Sequence, residues 1–194
     1  MCVGRYQAKN VFILYDALGT FCDAMGPGVL NHPAVVSKIL APITTKWNAL
    51  RDDDRGLLPL LECMTSVARG LGPSFVTSAP TVFKRCLTLL ESNLVAIKAA
   101  EDAAEEIDSA ELDGLRDFII LALDMMSAMA EALGAGVGKL FTGSNMMPLL
   151  HECITVRGRR GVFVSVFVSV FVFVFVFVFV FVFVFVFVFV FVFV

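Results

Sequence analysis

Three stretches of this chain repeat one another, and each closes on glycine: DALGTFCDAMG from Asp16, ECMTSVARGLG from Glu62 and DMMSAMAEALG from Asp124. Each opens on an acid, places Leu or Met two residues on, an apolar residue at plus five and Leu or Met at plus nine. Gly26, Gly72 and Gly134 stand at plus ten, and Pro27 and Pro73 follow the first two. Apolar residues three and four apart form a stripe on one face of a helix. The stripes are Leu14, Leu18, Phe21 and Met25; Leu60, Met64, Val67 and Leu71; and Ala122, Met126, Met129 and Leu133. A terminal glycine suits the left-handed position that ends many helices, and a following proline cannot extend one. The spacing therefore predicts three equivalent helices with one stop signal.

A second periodic segment follows each. PAVVSKILAPITTKWNAL sets Val35, Ile39, Ile43, Trp47 and Leu50 on one side, with a kink expected at Pro42. PTVFKRCLTLLESNL does the same with Val82, Cys86, Leu89 and Leu90, and SNMMPLLHECI is the third and shortest. The unit reads as helix, turn, helix, and the first two acids are 46 residues apart, inside the roughly 40–47-residue period of HEAT and armadillo repeats. The fold expected is all-α: a solenoid of about three HEAT repeats over residues 1–156, at about 9–50, 57–94 and 117–155. Each helix pair hides its apolar face only against its neighbours. An acidic insertion at about 97–116 is expected to be a solvated linker, since residues 101–117 hold eight acids against Arg116.

The rest, 157–194, is a low-complexity Phe-Val tail. It holds 14 of the 20 phenylalanines and raises mean hydropathy to +0.86, while every charged residue precedes Val162. As a helix its last 33 residues would span about 50 Å against a hydrocarbon core of about 30 Å, so a C-terminal membrane anchor is one reading. Strict alternation of two apolar residues is also a cross-β pattern with no polar face. A third reading is a six-nucleotide repeat read as coding sequence in place of the next helical repeat.

Chemistry is sparse. The motifs GxxxxGK[ST], GxSxG and HExxH are absent, and with them the commonest phosphate, nucleophile and zinc sites. His32 and His151 are far apart. Neither an enzyme, a cofactor nor a metal site is expected, and a net charge of −3 gives no footprint for nucleic acid. Five scattered cysteines without a CxxC pair fit a reducing compartment, with Cys22, Cys63 and Cys86 as small buried hydrophobes. The run LRDDDRGL brings Asp52, Asp53 and Asp54 to a junction between helices. Asp there either caps the next helix or binds a basic ligand. Trp47 matches the spacing of Ile43 and Leu50 and is expected to pack.

The stretches YQAKNVFILYDALGTFCDAMG, KWNALRDDDRGLLPLLEC, VFKRCLTLLE and DFIILALDMMSAMAEALG resemble the transportin (karyopherin-β2) family of importin-β-type nuclear import receptors, from about Arg5 to Cys153. The resemblance implies a receptor that binds basic or hydrophobic nuclear localisation signals ending in Pro-Tyr and releases them when the GTPase Ran binds in its GTP form. It also implies possible nucleoporin contacts, residence in cytoplasm and nucleus, and no membrane. It further implies that residues 33–50, 80–94 and about 144–155 face cargo. Asp52, Asp53, Asp54 and, by helix placement, Glu91 are then the candidate cargo contacts. The alternatives are a HEAT scaffold for other proteins and a membrane-anchored helical protein.

Overall fold

A computed structural model of the chain describes residues 8–30, 32–102 and 108–155. Both the Phe-Val tail and the three readings of it lie outside the described residues. Among those residues there are helices and no strand: α1 (Ala8–Leu30), α2 (Pro33–Ala49), α3 (Leu57–Leu71), α4 (Ala79–Asp102), α5 (Ser109–Leu133), α6 (Gly138–Phe141) and α7 (Met146–Thr155). The architecture is an all-α segment of HEAT type.

Each repeated glycine breaks its helix. Gly26 leaves α1 at φ 63°, and Gly72 and Gly134 end α3 and α5 at φ 53°, their N–H groups bonded to the carbonyls of Ala68 and Ala130. An L-residue at such a φ is strained by about 1–2 kcal/mol, which is why this stop needs glycine. Single 3₁₀ turns, Gly72–Thr77 and Gly134–Val137, then redirect the chain. Pro42 stays inside one continuous α2, with the Thr45 hydroxyl donating to the Ala41 carbonyl at 2.8 Å.

The helices form two rows. α1 packs along α3 and α3 along α5, while in the other row only α4 and α7 make more than a marginal contact. Between rows, α4 packs on α5 and α2 on α3. Of these consecutive pairs, α4 and α5 pack more extensively than α2 and α3.

The second stripe is buried throughout, and so are Ala122, Met126 and Met129 of the third. In α1 the buried face is Val11, Tyr15, Leu18 and Cys22, whereas Phe21 and Met25 are exposed. Gly70 explains the choice. A Cβ there would lie 2.6 Å from the Cys22 carbonyl oxygen, so the bare glycine lets α3 approach α1 along its Cys22 side. Ile39, Ile43 and Trp47 of α2 and Val82, Cys86, Leu89 and Leu90 of α4 are buried as their spacing predicts. Ser109–Phe141 is apolar and long enough to cross a membrane, but Ala122, Leu123, Met125, Met126, Ala128 and Met129 are wholly enclosed by protein.

The acidic insertion differs from the expected linker. α4 runs on to Asp102, and α5 starts at Ser109 behind Asp108, whose carboxylate accepts from the Ala110 N–H at 3.2 Å. Its alanines favour helix, and an Asp N-cap satisfies an orphan donor. Both ends of the segment are therefore helical.

Candidate functional site

The acidic run lies in the loop between α2 and α3, and an arginine from α4 holds it there. The Arg85 side chain, 14% exposed, reaches across to donate from Nε to Asp52 Oδ1 at 2.6 Å and from Nη2 to the Leu50 carbonyl at 2.6 Å. Nη1 donates to the Trp47 carbonyl, and the guanidinium carbon sits 4.8 Å from the centroid of the buried Trp47 ring. One planar fork thus satisfies two loose carbonyls at the end of α2 and one carboxylate. Only arginine has that donor geometry.

The other two acids are also engaged. Asp53 takes both Arg51 donors, at 2.9 and 2.7 Å, in an exposed bidentate pair. Asp54 Oδ1 accepts from the Gly56 N–H at 2.8 Å, closing a turn before α3. Gly56 is the N-cap of α3 and makes no side-chain cap bond, so Asp54 shapes the approach to the helix and does not cap its first turn. Glu91 lies exposed on α4. Asp52, Asp53 and Asp54 share one loop, and Ser92 and Asn93, which follow Glu91 on α4, line a cavity of about 520 Å³ with Asp52 and Asp53.

Carboxylates gather elsewhere. The α1–α3–α5 row carries Asp16, Asp23, Glu62, Glu111, Asp113, Asp117, Asp124 and Glu131; in the other row α4 carries Glu91, Glu101 and Asp102, α7 carries Glu152, and α2 carries none. Between α1 and α3 lies a groove of about 180 Å³ lined by Asp16, Asp23 and Glu62 with Phe12, Tyr15, Pro59 and Ser66 among its walls. Ser66 donates to Asp23 Oδ2 at 2.9 Å across the two helices. One step along the row, Arg69 of α3 pairs with Glu131 of α5 at 2.9 Å. Under the groove, burial and then the neighbouring Cys22 push the Cys63 thiol up to about 12. Burial raises the Tyr15 phenol as well, with Cys63 adding to it. These groups stay neutral, so the groove's charge comes from its carboxylates.

Asp16, Glu62 and Asp124 open the repeated motif; the first two line the groove and Asp124 does not. An acid recurring at one position of an amphipathic helix, off the apolar stripe, is the signal in the sequence for that pair. Among the described residues no group of three or more His, Cys, Asp or Glu could hold a metal ion.

Rows of stacked helices, with no metal-binding cluster among the described residues, define a HEAT-type α-solenoid segment, a class that works by binding along its surface. No family model matches the chain. It is 42% identical over 156 residues, 79% of its length, to Transportin-1 of Oryza sativa subsp. japonica. Over 150 residues, 77% of the chain, it is 37% identical to Transportin-1 of Homo sapiens, and over 137 residues, 70% of it, 36% identical to importin subunit beta-2 of Schizosaccharomyces pombe. Over these residues the chain is a homologue of the transportin (importin β-2) family. It spans 16%, 16% and 14% of the length of those relatives.

Proposed function

We propose that the chain is part of a nuclear import receptor and that basic residues of a Pro-Tyr localisation signal bind at the acids beside the α2–α3 loop and α4. The observation that carries this is the cavity of about 520 Å³ lined by Asp52, Asp53, Ser92, Asn93 and Glu111 in a chain 42% identical to a transportin. In this reading segments 33–50, 80–94 and 144–155 form the cargo side, and Glu91, exposed on α4, is a further contact.

Of the loop acids, Asp53 is the readiest contact. Its side chain is 69% exposed, and an exposed ion pair holds by only about 0–1 kcal/mol, so an incoming arginine can replace Arg51. Asp52 and Asp54 serve the loop itself. Release by Ran, nucleoporin contacts and shuttling between cytoplasm and nucleus belong to the same reading.

The test is fluorescence anisotropy of the chain with a labelled basic peptide ending in Pro-Tyr. Asp53→Asn and Glu91→Gln should each weaken binding about two- to five-fold, the range of a surface charge contact, and the affinity should fall as salt is raised. Failure to bind such a peptide at low salt, together with stable capture of a purified folded partner, favours the scaffold reading.

A further inference from the structure

Asn93 lines the cavity beside the α2–α3 loop although only 7% of it is exposed. Its Nδ2 donates to the Leu89 carbonyl one turn back at 2.7 Å, which fixes the orientation of the amide and leaves Oδ1 as its free end. Oδ1 accepts no hydrogen bond, and among the described residues no fully buried side-chain oxygen lacks a partner, so Oδ1 opens into the cavity. A pinned acceptor there calls for a donor from whatever fills the space. The cavity, at about 520 Å³, falls within the roughly 300–1,000 Å³ of ligand sites.

Exposure divides the walls of that cavity. Its carboxylates are at the mouth: Asp52 and Asp53 are 47% and 69% exposed, and Glu111 is exposed. Two exposed arginines, Arg51 and Arg55, share the mouth, the first already paired with Asp53. The less exposed walls are apolar: Ala96, three residues beyond Asn93 on α4, with Leu115 and the buried Phe118 on α5. Taking a cation out of water needs a paired carboxylate, whereas a neutral N–H needs only one acceptor. Basic side chains of a peptide therefore stay with the acids at the mouth, and the donor that reaches Asn93 is a neutral one from the main chain.

We infer that Asn93 accepts a hydrogen bond from a main-chain N–H of the bound peptide and so fixes its register in the cavity, a step that rests on the cargo reading above. The test is anisotropy of the full chain with the labelled basic Pro-Tyr peptide and a series in which one backbone nitrogen at a time is methylated. At one position methylation should weaken binding about two- to ten-fold, the scale of a single hydrogen bond. Asn93→Leu and Asn93→Ala should weaken the unmethylated peptide by a similar factor and lose no further affinity to that methyl group, with helicity unchanged by circular dichroism. Insensitivity to methylation at every position, or a methyl effect that survives in both variants, overturns the role of Asn93. So does a lysine-to-norleucine peptide whose loss of affinity disappears in Asn93→Leu, because a side-chain ammonium then occupies Oδ1. In those cases the cargo reading still stands if Asp53→Asn weakens the unmethylated peptide. If no peptide binds at low salt, both inferences fall.

Discussion

Replacing Arg85 by alanine should unfasten the junction between α2 and α3. The substitution removes a charged donor from two backbone carbonyls, those of Trp47 and Leu50, and from Asp52. A hydrogen bond to a charged group contributes about 1.5–3 kcal/mol, and a guanidinium–ring contact between largely buried groups about 1–2 kcal/mol. Asp52 is 47% exposed, so its pairing is discounted to below about 1 kcal/mol. Because these contacts share one side chain and do not add fully, the expected loss is about 3–5 kcal/mol. Against a total stability of about 5–15 kcal/mol, that is a large fraction. Trp47 is the single tryptophan of the chain and is 2% exposed, so it reports directly on this junction. Urea unfolding followed by its emission should show an earlier midpoint and a red-shifted folded baseline. Arg85→Lys, which keeps the charge but not the fork, should lose about half as much, and Asp52→Asn less than about 1 kcal/mol. An Arg85→Ala chain with an unchanged midpoint and unshifted emission would falsify the account of Arg85 as the clamp.

Two helical glycines should respond oppositely to alanine. Gly70→Ala should destabilise by about 1–3 kcal/mol, as overpacking does, because its Cβ meets Cys22 backbone at 2.6 Å. Gly114→Ala should instead gain up to about 1 kcal/mol of helix propensity, since its nearest neighbour, 3.3 Å away, is the movable end of Arg55; thermal midpoints separate the two. Gly134→Ala should cost about 1–2 kcal/mol by backbone strain alone, as its φ is 53° and nothing lies within 4 Å of a Cβ there, and a chemical denaturation midpoint measures it. Alkali should destabilise the fold. Burial pushes Cys22 up to about 11 and Cys63 and Cys86 up to about 12 from an ordinary 9.0. Between those values the unfolded thiols lose protons that the folded ones keep, so stability is complete below about pH 9 and falls as pH rises toward 12. Titrating helicity upward from pH 8 checks the sign, and replacing Cys86 by alanine should flatten the slope.

Local chemistry carries whatever part of this protein is legible in the amino acids. The helix stops at Gly26, Gly72 and Gly134, the buried stripe of α3 and the burial of Trp47 follow from spacing and glycine's freedom at positive φ. These depend on residues within a few positions of one another. Partner choice does not. α1 offers both a Leu14–Phe21–Met25 side and a Val11–Tyr15–Cys22 side, and only the close approach permitted by Gly70, on another helix, selects the second. The roles of Asp52 and Asp53 turned on two arginines, one adjacent in the chain and one on α4. Charge repulsion made the acidic insertion look like a linker, whereas an Asp108 cap and alanines keep its ends helical.

By itself, then, the sequence determined an all-α repeat, its stop signals and a recurring acid in each copy. Tertiary structure alone decided which helices pair and which row gathers the acids into a groove. It also decided that Arg85 ties Asp52 down while Asp16 and Glu62 remain exposed in that groove. The physical reason is distance along the chain: caps and stripes are set within one or two turns, whereas a groove is made by side chains that only packing brings together.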